Sequence, residues 1–419
     1  MWFSLETIVS RAKRRWFAYP GSDIYGWLAN ARDLGPYGVE IKRNIEEIRW
    51  NYFVRERDDV IWLDSQILMN PKVREASGHV GNFSDPLADC KKCKARERAD
   101  HLIEHIYGEN SFLKIWWAFK EGSIDWIKNF IKKEEDAINI IDVLNKYRND
   151  IDTEFKMSYY ILNELGIKCT KCWKCEWTET KKFNLMFKTE QGIVEGEWTD
   201  IYLRPETAQG IFVNFKNILD TTRSRIPFGI AQIGKSFRNE ITPGNFMFRV
   251  REFYQMEIEY FVENNEEIGL KAFEEWKALS KKRWKEEIGI AEDKMRFRDH
   301  DKDELSFYSK WTCDVEYLFP RGWWELQGIA YRTDYDLKQH MQFSGKDLQY
   351  NDPYTGKRYI PHVIEPSRWL TRAILTAMID AYDEEKYADG NGNEQTRVVA
   401  RFHKNIAPVK FAIIPLVCK

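Results

Sequence analysis

Apolar positions in residues 39–56 (Val39, Ile41, Ile45, Ile48, Tyr52 and Phe53) fall mostly on one face at helical spacing, after the turn Gly35-Pro36-Tyr37-Gly38. This predicts a helix, followed by a short strand at 59–63. Residues 181–262 alternate strand-like runs with turns, and 263–312 read as charged helix anchored by Trp276, Leu279 and Trp284. Residues 313–385 return to strands and then to an apolar helix over 370–382. The polar, Gly- and Asn-rich stretch 386–396 reads as a linker, and 409–417 as one buried strand. Between these, 89–180 has the look of an insertion. It opens with Cys90 and Cys93 and closes with Cys169, Cys172 and Cys175, with polar helical segments between.

Composition narrows the picture. A chain of 419 residues suits two or three packed domains. No apolar run is long enough for a membrane-spanning helix. The basic residues of the first 17 positions follow a short apolar stretch, the reverse of a signal peptide. The formal net charge of −2 leaves no global basic field, so any nucleic-acid contact must be local. Seven cysteines, five in Cys-x-x-Cys-type units, read as metal ligands in a reducing compartment rather than as disulfides. The basic run Lys91, Lys92, Lys94 and Arg96 reads equally as a phosphate contact or a solvated face. His79, His101 and His340 read as hydrogen-bonding core residues. One imbalance stands out: 23 Gly and 17 Trp. At the usual ~7% the chain would carry about six more glycines.

Candidate chemistry concentrates in Phe237-Arg238-Asn239-Glu240, a loop, and Arg249-Val250-Arg251-Glu252-Phe253. Two strands joined by a loop would put Arg238 and Arg251 on one surface. Guanidinium forks suit phosphate, and Phe248 and Phe253 could stack on a purine. The alternative is a solvated hairpin with surface ion pairs. Arg204-Pro205-Glu206 with Gln209, and Glu365-Pro366-Ser367 before a helix carrying Arg372, are weaker signals of the same kind. No P-loop, dinucleotide fingerprint, His-Glu-x-x-His or serine elbow occurs.

Longer strings carry a resemblance. LMNPKV at 68–73, EASGHVGNF at 75–83, FNLMF at 183–187, YLRPETAQGI at 202–211 and FRNEITP at 237–243 stand in one order. With them, the chain resembles the dimeric class II glycyl-tRNA synthetases over essentially its whole length. FRNEITP resembles that family's motif 2, Gly35-Pro36 and the following helix its motif 1, and residues 365–372 its motif 3.

The resemblance implies an α+β fold: an antiparallel sheet flanked by helices, with a Cys-rich, helical insertion. The implied organisation is a first part of the catalytic core at 1–88, including the dimer interface, and the insertion at 89–180. The rest of the core follows at 181–385, with a helical insertion near 263–312. Residues 386–419 would be a linker and the first strand of an anticodon-binding domain whose remainder is missing. The implied activity is that of a glycine–tRNA ligase: glycine is activated with ATP to glycyl-adenylate, then passed to the 3′ end of tRNA(Gly). It also implies a cytoplasmic homodimer with no membrane partner, using ATP and Mg²⁺. Arg238, Glu240 and Arg372 take the catalytic positions. The nucleotide would be held by Arg238, Asn239, Glu240, Phe248, Arg249, Val250, Arg251, Glu252 and Phe253, and by Glu325, Leu326, Trp369, Leu370, Thr371 and Arg372, with Glu325 also placed for Mg²⁺. Glycine would be held by Arg98, Glu206, Phe253, Tyr254, Gln255, Met256 and Glu257, and by Glu365, Pro366, Ser367, Arg368 and Trp369. Cys90, Cys93, Cys169 and Cys172 would hold a structural zinc ion, with Cys175 a competing ligand. Cys313 and Cys418 read as a core and a terminal residue.

The chain departs from the family's pattern at specific places. Trp16, Trp27, Trp62, Trp173, Trp324 and Trp369 stand where the family has glycine. Arg368 and Thr371 stand where it has a small residue and usually Asp. Two readings remain open for the tryptophans. Either they are real and the protein is a catalytically impaired, synthetase-like binder of RNA or of a partner, or UGA codons meaning glycine have been written as tryptophan.

Overall fold

The computed structural model describes residues 4–108, 110–192, 198–302 and 304–415. Its centre is a seven-stranded sheet. In chain order the strands are β1 (Val60–Trp62), β2 (Phe228–Phe237), β3 (Glu252–Val262), β4 (Met295–Asp299), β5 (Trp311–Phe319), β6 (Gly322–Thr333) and β7 (His362–Trp369). In space they run β4-β5-β6-β7-β3-β2-β1. Every pairing is antiparallel except the short β1 beside β2. The antiparallel sheet expected from the resemblance is present.

The longer helices are α1 (Leu5–Arg14), α2 (Pro36–Trp50), α3 (Ala99–Tyr107), α4 (Ser111–Lys120), α5 (Glu134–Lys146), α6 (Glu154–Glu164), α7 (Ala208–Thr222), α8 (Glu266–Arg283), α9 (Tyr335–Ser344) and α10 (Leu370–Asp380). Proline at the first position of α2 suits a helix start, where its missing N–H has no intrahelical acceptor. The predicted helix continues past Trp50 as one π turn, Asn51–Arg55.

Strand alternation organises the core. On β3, Met256, Ile258, Tyr260 and Val262 join Ile41 and Ile45 of α2, Phe273 and Trp276 of α8, and Ile374 of α10. Phe261, on the opposite face, packs with Phe212 and Phe215 of α7. That second face carries the odd-numbered residues Phe253, Gln255, Glu257 and Glu259. On β7, Ile364 joins the first cluster and Val363 the second. Glu365, Ser367 and Trp369 therefore share the face of Glu257, and Pro366 and Arg368 share the other. Register seals the match: Glu257 pairs with Ser367, and Gln255 with Trp369.

The insertion has its own core. Ile103 of α3, Ile115 of α4, Ile140 and Leu144 of α5, and Ile161 and Leu162 of α6 close around Trp177. The Trp177 indole is fully buried and donates to the Ile167 carbonyl at 2.7 Å.

Three details differ from the sequence reading. The stretch 263–312 supplies edge strand β4 as well as α8. The expected linker at 386–396 is folded: β8 (Tyr382–Ala388) and β9 (Glu394–Ala400) form a hairpin. Its Gly/Asn-rich tip is a turn, with the Asp389 side chain accepting from the N–H groups of Asn391 and Asn393. Finally, residues 409–415 join no strand ladder. They are exposed rather than buried, so water can satisfy their backbone groups. Positions 416–417 of that expected strand, and Cys418, lie outside the described residues.

Candidate active site

The polar face of β3 and β7 opens into a cavity of about 230 Å³. Glu206, Glu257 and Glu365 line it, with Gln255 and Ser367 between them. All three carboxylates are buried. Burial disfavours ionised carboxylate, so each needs a donor or a proton. Glu257 accepts from the Thr207 N–H at 2.9 Å and the Ser367 hydroxyl at 2.9 Å, and also from the Gln255 amide. Glu365 accepts from Arg332 at 2.9 Å. Glu206 accepts from Gln209 at 3.0 Å and lies 3.5 Å from His79 Nε2 and 3.8 Å from Arg332.

Arg332, from β6, is fully buried. It also donates twice to Asp336 of α9, at 2.7 and 2.8 Å, and its guanidinium lies 3.8 Å from the Tyr308 ring centroid. These contacts split the carboxylates. Against burial, His79 and Arg332 hold Glu206 well below the usual range. Burial, with Glu257 and Glu206 adding repulsion, raises Glu365 to about 8 despite Arg332. Burial and the neighbouring Glu206 also raise Glu257. Glu259, one turn of the pleat further along β3, is fully buried, and neither of its oxygens has a hydrogen-bond partner among the described residues. Burial and Glu365 push it far above the usual carboxylate range. The pocket thus gathers several buried carboxyl groups around one buried arginine.

Beside this cavity lies a second, lined by Arg238, Glu240, Phe248, Arg249, Val250, Phe253, Trp369, Thr371 and Arg372. These are expected nucleotide-site residues brought together from the β2–β3 connection and the start of α10. Arg238 donates through Nε to the Pro205 carbonyl at 3.1 Å and has no carboxylate partner among the described residues. Arg372 is anchored to the Glu325 carboxylate at 2.9 Å and lies 4.1 Å from the Phe248 ring centroid. Burial, reinforced by repulsion from Arg249 and Arg238, holds Arg372 below the usual arginine range. A pair of cations without enough counter-charge is suited to an anion.

That second cavity is about 20 Å³. A water molecule fills such a space, whereas small-molecule sites run to roughly 300 Å³ or more. Trp369 is the obstruction. Its ring centroid is 2.9 Å from the Arg372 guanidinium carbon and 5.6 Å from that of Arg238. Trp369 and Arg238 line both cavities, so the indole is the wall between them.

Other expected site residues lie elsewhere. Tyr254 and Met256 face away on β3: Met256 is core, and Tyr254 lies beneath Lys42 and Lys235. Pro366 and Arg368 face away on β7. Arg368 is buried among Gln327, Glu287 and the Ser280 carbonyl, at 2.6, 2.9 and 3.3 Å. Leu326 and Leu370 are fully buried core residues. Glu252 is exposed and pairs with Lys235. Arg251 binds the Ala29 and Glu240 carbonyls, and the Asn239 N–H binds that of Leu185 at 2.6 Å. Phe253 lines only the second cavity. Glu325 lines the first, where an added Gly328 Cβ would lie 3.5 Å from Glu325 and 3.7 Å from Asp314. Arg98 lines neither; Asp85 at 2.7 Å and Asp100 already neutralise it. His79 and His340 are hydrogen-bonded core residues, to Ser77 and to Gln209, each at 2.8 Å. Burial pushes His101 down to about 4. Arg332, Asp336, Thr207 and Glu259 were not singled out in the sequence. Only their spacing from quoted motif residues, such as Glu259 two after Glu257, could have flagged them.

The four expected thiols do meet. Cys90 and Cys172 sulfurs are 3.5 Å apart, Cys93 and Cys169 are 3.6 Å apart, and all four lie within 4.8 Å of one another. Tetrahedral thiolates at ~2.3 Å from a zinc ion stand about 3.8 Å apart, so the donor set fits. Two matching turns hold it: the Lys94 N–H donates to Cys90 O, and the Trp173 N–H to Cys169 O, at 2.9 and 3.0 Å. Cys175 is exposed and outside the cluster, and Cys313 is buried.

Known proteins agree with this geometry. Residues 187–363 match the tRNA synthetase class II core domain (G, H, P, S and T), and 85–185 match glycyl-tRNA synthetase insertion domain 1. A glycine–tRNA ligase of Geobacillus thermodenitrificans (strain NG80-2) is 50% identical over 99% of this chain and 80% of its own length. That of Geobacillus kaustophilus (strain HTA426) is 51% identical over 99% of this chain and 81% of its own. With the antiparallel sheet, the carboxylate pocket and the insertion in place, the chain belongs to the glycine–tRNA ligase family of class II tRNA synthetases.

Proposed function

We propose that the carboxylate cavity binds glycine, that the adjoining arginines bind ATP, and that the chain then transfers the glycyl group to the 3′ end of tRNA(Gly). The observation carrying this is a buried cluster of carboxylate acceptors opening beside Arg238 and Arg372. Glycine has no side chain to grip, so its ammonium must supply the recognition. Glu206, Glu257 and Glu365 are the acceptors, and Ser367 and Gln255 hold Glu257 in place. In the reaction, a glycine carboxylate oxygen bonds to the α-phosphorus and the bond to pyrophosphate breaks. Negative charge grows on phosphate oxygens, which is what fixed arginines stabilise. Glu325 and Asp314 are oxygen donors of the kind Mg²⁺ takes. Cys90, Cys93, Cys169 and Cys172 would hold a zinc ion that ties the two ends of the insertion together, a structural role.

Homodimer formation through the motif 1 region is supported by exposed apolar groups just before α2: Ile24 at 88%, Tyr25 at 89% and Leu28 at 63% exposure. Free, clustered thiols support a reducing compartment, the cytoplasm. No helix among the described residues is long and apolar enough to cross a membrane.

Glycine-dependent exchange of pyrophosphate into ATP tests the activity, using the chain with Trp369→Gly. Absence of glycine dependence would sink it. A second reading, an impaired synthetase-like binder, is favoured by one observation: Trp369 leaves the nucleotide cavity too small for ATP. Binding of RNA by the unaltered chain, with no ATP binding and no exchange even in the Trp369→Gly variant, would favour that reading.

A further inference from the structure

Four tryptophans sit where a residue without a side chain would relieve backbone strain or clear a cavity. Trp16, Trp27 and Trp173 have φ of 64°, 58° and 61°, the left-handed region. There an L-residue's Cβ crowds the following carbonyl, a strain glycine escapes. Eleven non-glycine residues adopt positive φ among those described. With 17 Trp in 419 residues, fewer than one tryptophan is expected among eleven positions; three are found.

Each left-handed site is a recognisable turn. Trp16 stands at the position after the C-cap of α1, where the next N–H, from Phe17, reaches back to the Ala12 carbonyl at 3.0 Å. That is the Schellman arrangement, whose left-handed residue is usually glycine. Trp27 follows Gly26, itself at φ 84°, in a double left-handed turn. Trp173 closes the second cysteine turn. Their rings return little, being 55%, 57% and 72% exposed. Lys94 takes the same conformation in the first cysteine turn, so a side chain is tolerated there; the repetition of one large residue is what singles these sites out.

Trp369 fails for a different reason. Its backbone is extended, but its ring lies directly on the Arg372 guanidinium, whose carbon is 2.9 Å from the ring centroid. It also walls off the two cavities from each other. By contrast, Trp177 and Trp284 are fully buried with their N–H groups bonded at 2.7 and 2.9 Å. Of the other two suspect positions, Trp62 crowds Trp50 at 3.8 Å between tilted ring centroids, and Trp324 packs normally against Phe248.

We infer that positions 16, 27, 173 and 369 are glycine in the protein the cell makes, encoded by UGA codons that its translation reads as glycine. Glycine at 369 then joins the two cavities into one cleft that holds glycine and nucleotide together. The assignment at 369 rests on the nucleotide reading of that cleft; the other three rest on backbone conformation alone.

The deciding experiment is peptide mass spectrometry of the protein isolated from its own source, with the codons read from the gene. Glycine masses at the four positions, with UGA there and UGG at Trp177 and Trp284, are expected. A tryptophan mass at Trp16, Trp27 or Trp173 would overturn the assignment whatever the protein's activity. For position 369, ATP binding is compared in the recombinant chain and its Trp369→Gly variant, by equilibrium dialysis. Affinity at least tenfold higher in the variant is expected, and equal affinity would show that the indole does not close the site.

Discussion

Among the described residues Arg332 is the one buried cation facing Glu206, Glu365 and Asp336 together, and replacing it with methionine tests the proposed glycine pocket. Methionine keeps most of the side chain's length and apolar stem while deleting the charge and five donors. The change leaves Asp336 without its two bonds at 2.7 and 2.8 Å and Glu365 without its bond at 2.9 Å. Stranding one partner of a buried ion pair costs about 3–5 kcal/mol. Asp336 retains the Gln209 amide at 2.8 Å, and Glu365 can take a proton, which favours the low end. The second effect is on binding. Arg332 is what opposes the rise of Glu365, whose pKa already stands near 8. Without it Glu365 holds its proton more tightly still, so an arriving ammonium meets a carboxyl that is harder to ionise. Losing a charge-assisted hydrogen bond of about 1.5–3 kcal/mol raises the glycine KM roughly ten- to hundredfold. Thermal unfolding and pyrophosphate exchange, both in a Trp369→Gly background, read the two effects. An Arg332→Met protein with unchanged melting and unchanged glycine KM would refute the claim that this arginine holds the pocket's charge.

Four further outcomes follow from the same geometry. Arg368→Ala should lower stability by about 3–5 kcal/mol by stranding buried Glu287, while the folded fraction keeps its glycine KM; a selective rise in KM would put Arg368 back in the pocket. Glu365 is largely protonated at pH 7, so glycine binding should release protons, visible as a buffer-dependent binding enthalpy; no buffer dependence would contradict it. Because that pKa is raised in the fold, its stabilisation is complete below about pH 4.5 and is lost as pH rises through about 8, a limb that Glu365→Gln should flatten. One zinc per chain is expected by elemental analysis, and Cys172→Ser should lose it and loosen the insertion, seen as faster amide exchange in α3–α6; a metal-free, equally protected wild type would remove the zinc reading.

The fold was largely legible in the sequence because its signals are local. The period of α2, the turn at Gly35-Pro36 and the paired Cys-x-x-Cys units each lie within a few residues, and the structure forms them. The hairpin at 382–400 was missed because its strands, such as Tyr382-Asp383-Glu384-Glu385, are mostly polar and exposed and bury no alternating face. Strand β4 was missed for a similar reason: it is a charged edge strand, Met295-Arg296-Phe297-Arg298-Asp299, that reads as helix surface. Over the described part of the strand expected at 409–417, residues 409–415 join no ladder, since an apolar run alone supplies no partner.

The candidate site was legible in kind but not in detail, and the reason is the pleat. A motif quoted as consecutive residues mixes two faces of a strand. Of Tyr254 through Glu257, only Gln255 and Glu257 line the carboxylate cavity; of Glu365 through Trp369, only Glu365, Ser367 and Trp369 do. Applying alternation to the sequence string would have removed Tyr254, Met256, Pro366 and Arg368 from the pocket. It would also have moved the departure at Arg368 from the binding face to the helix face, where Trp284 and Phe53 flank its guanidinium at 4.6 and 5.4 Å. The same rule adds Glu259, the next residue on the face of Glu257. Alternation therefore leaves Trp369 as the departure in motif 3 that blocks the site, with Thr371 beside it. The room for nucleotide beside the carboxylate cavity then turns on the residue at 369, at the junction of the two cavities.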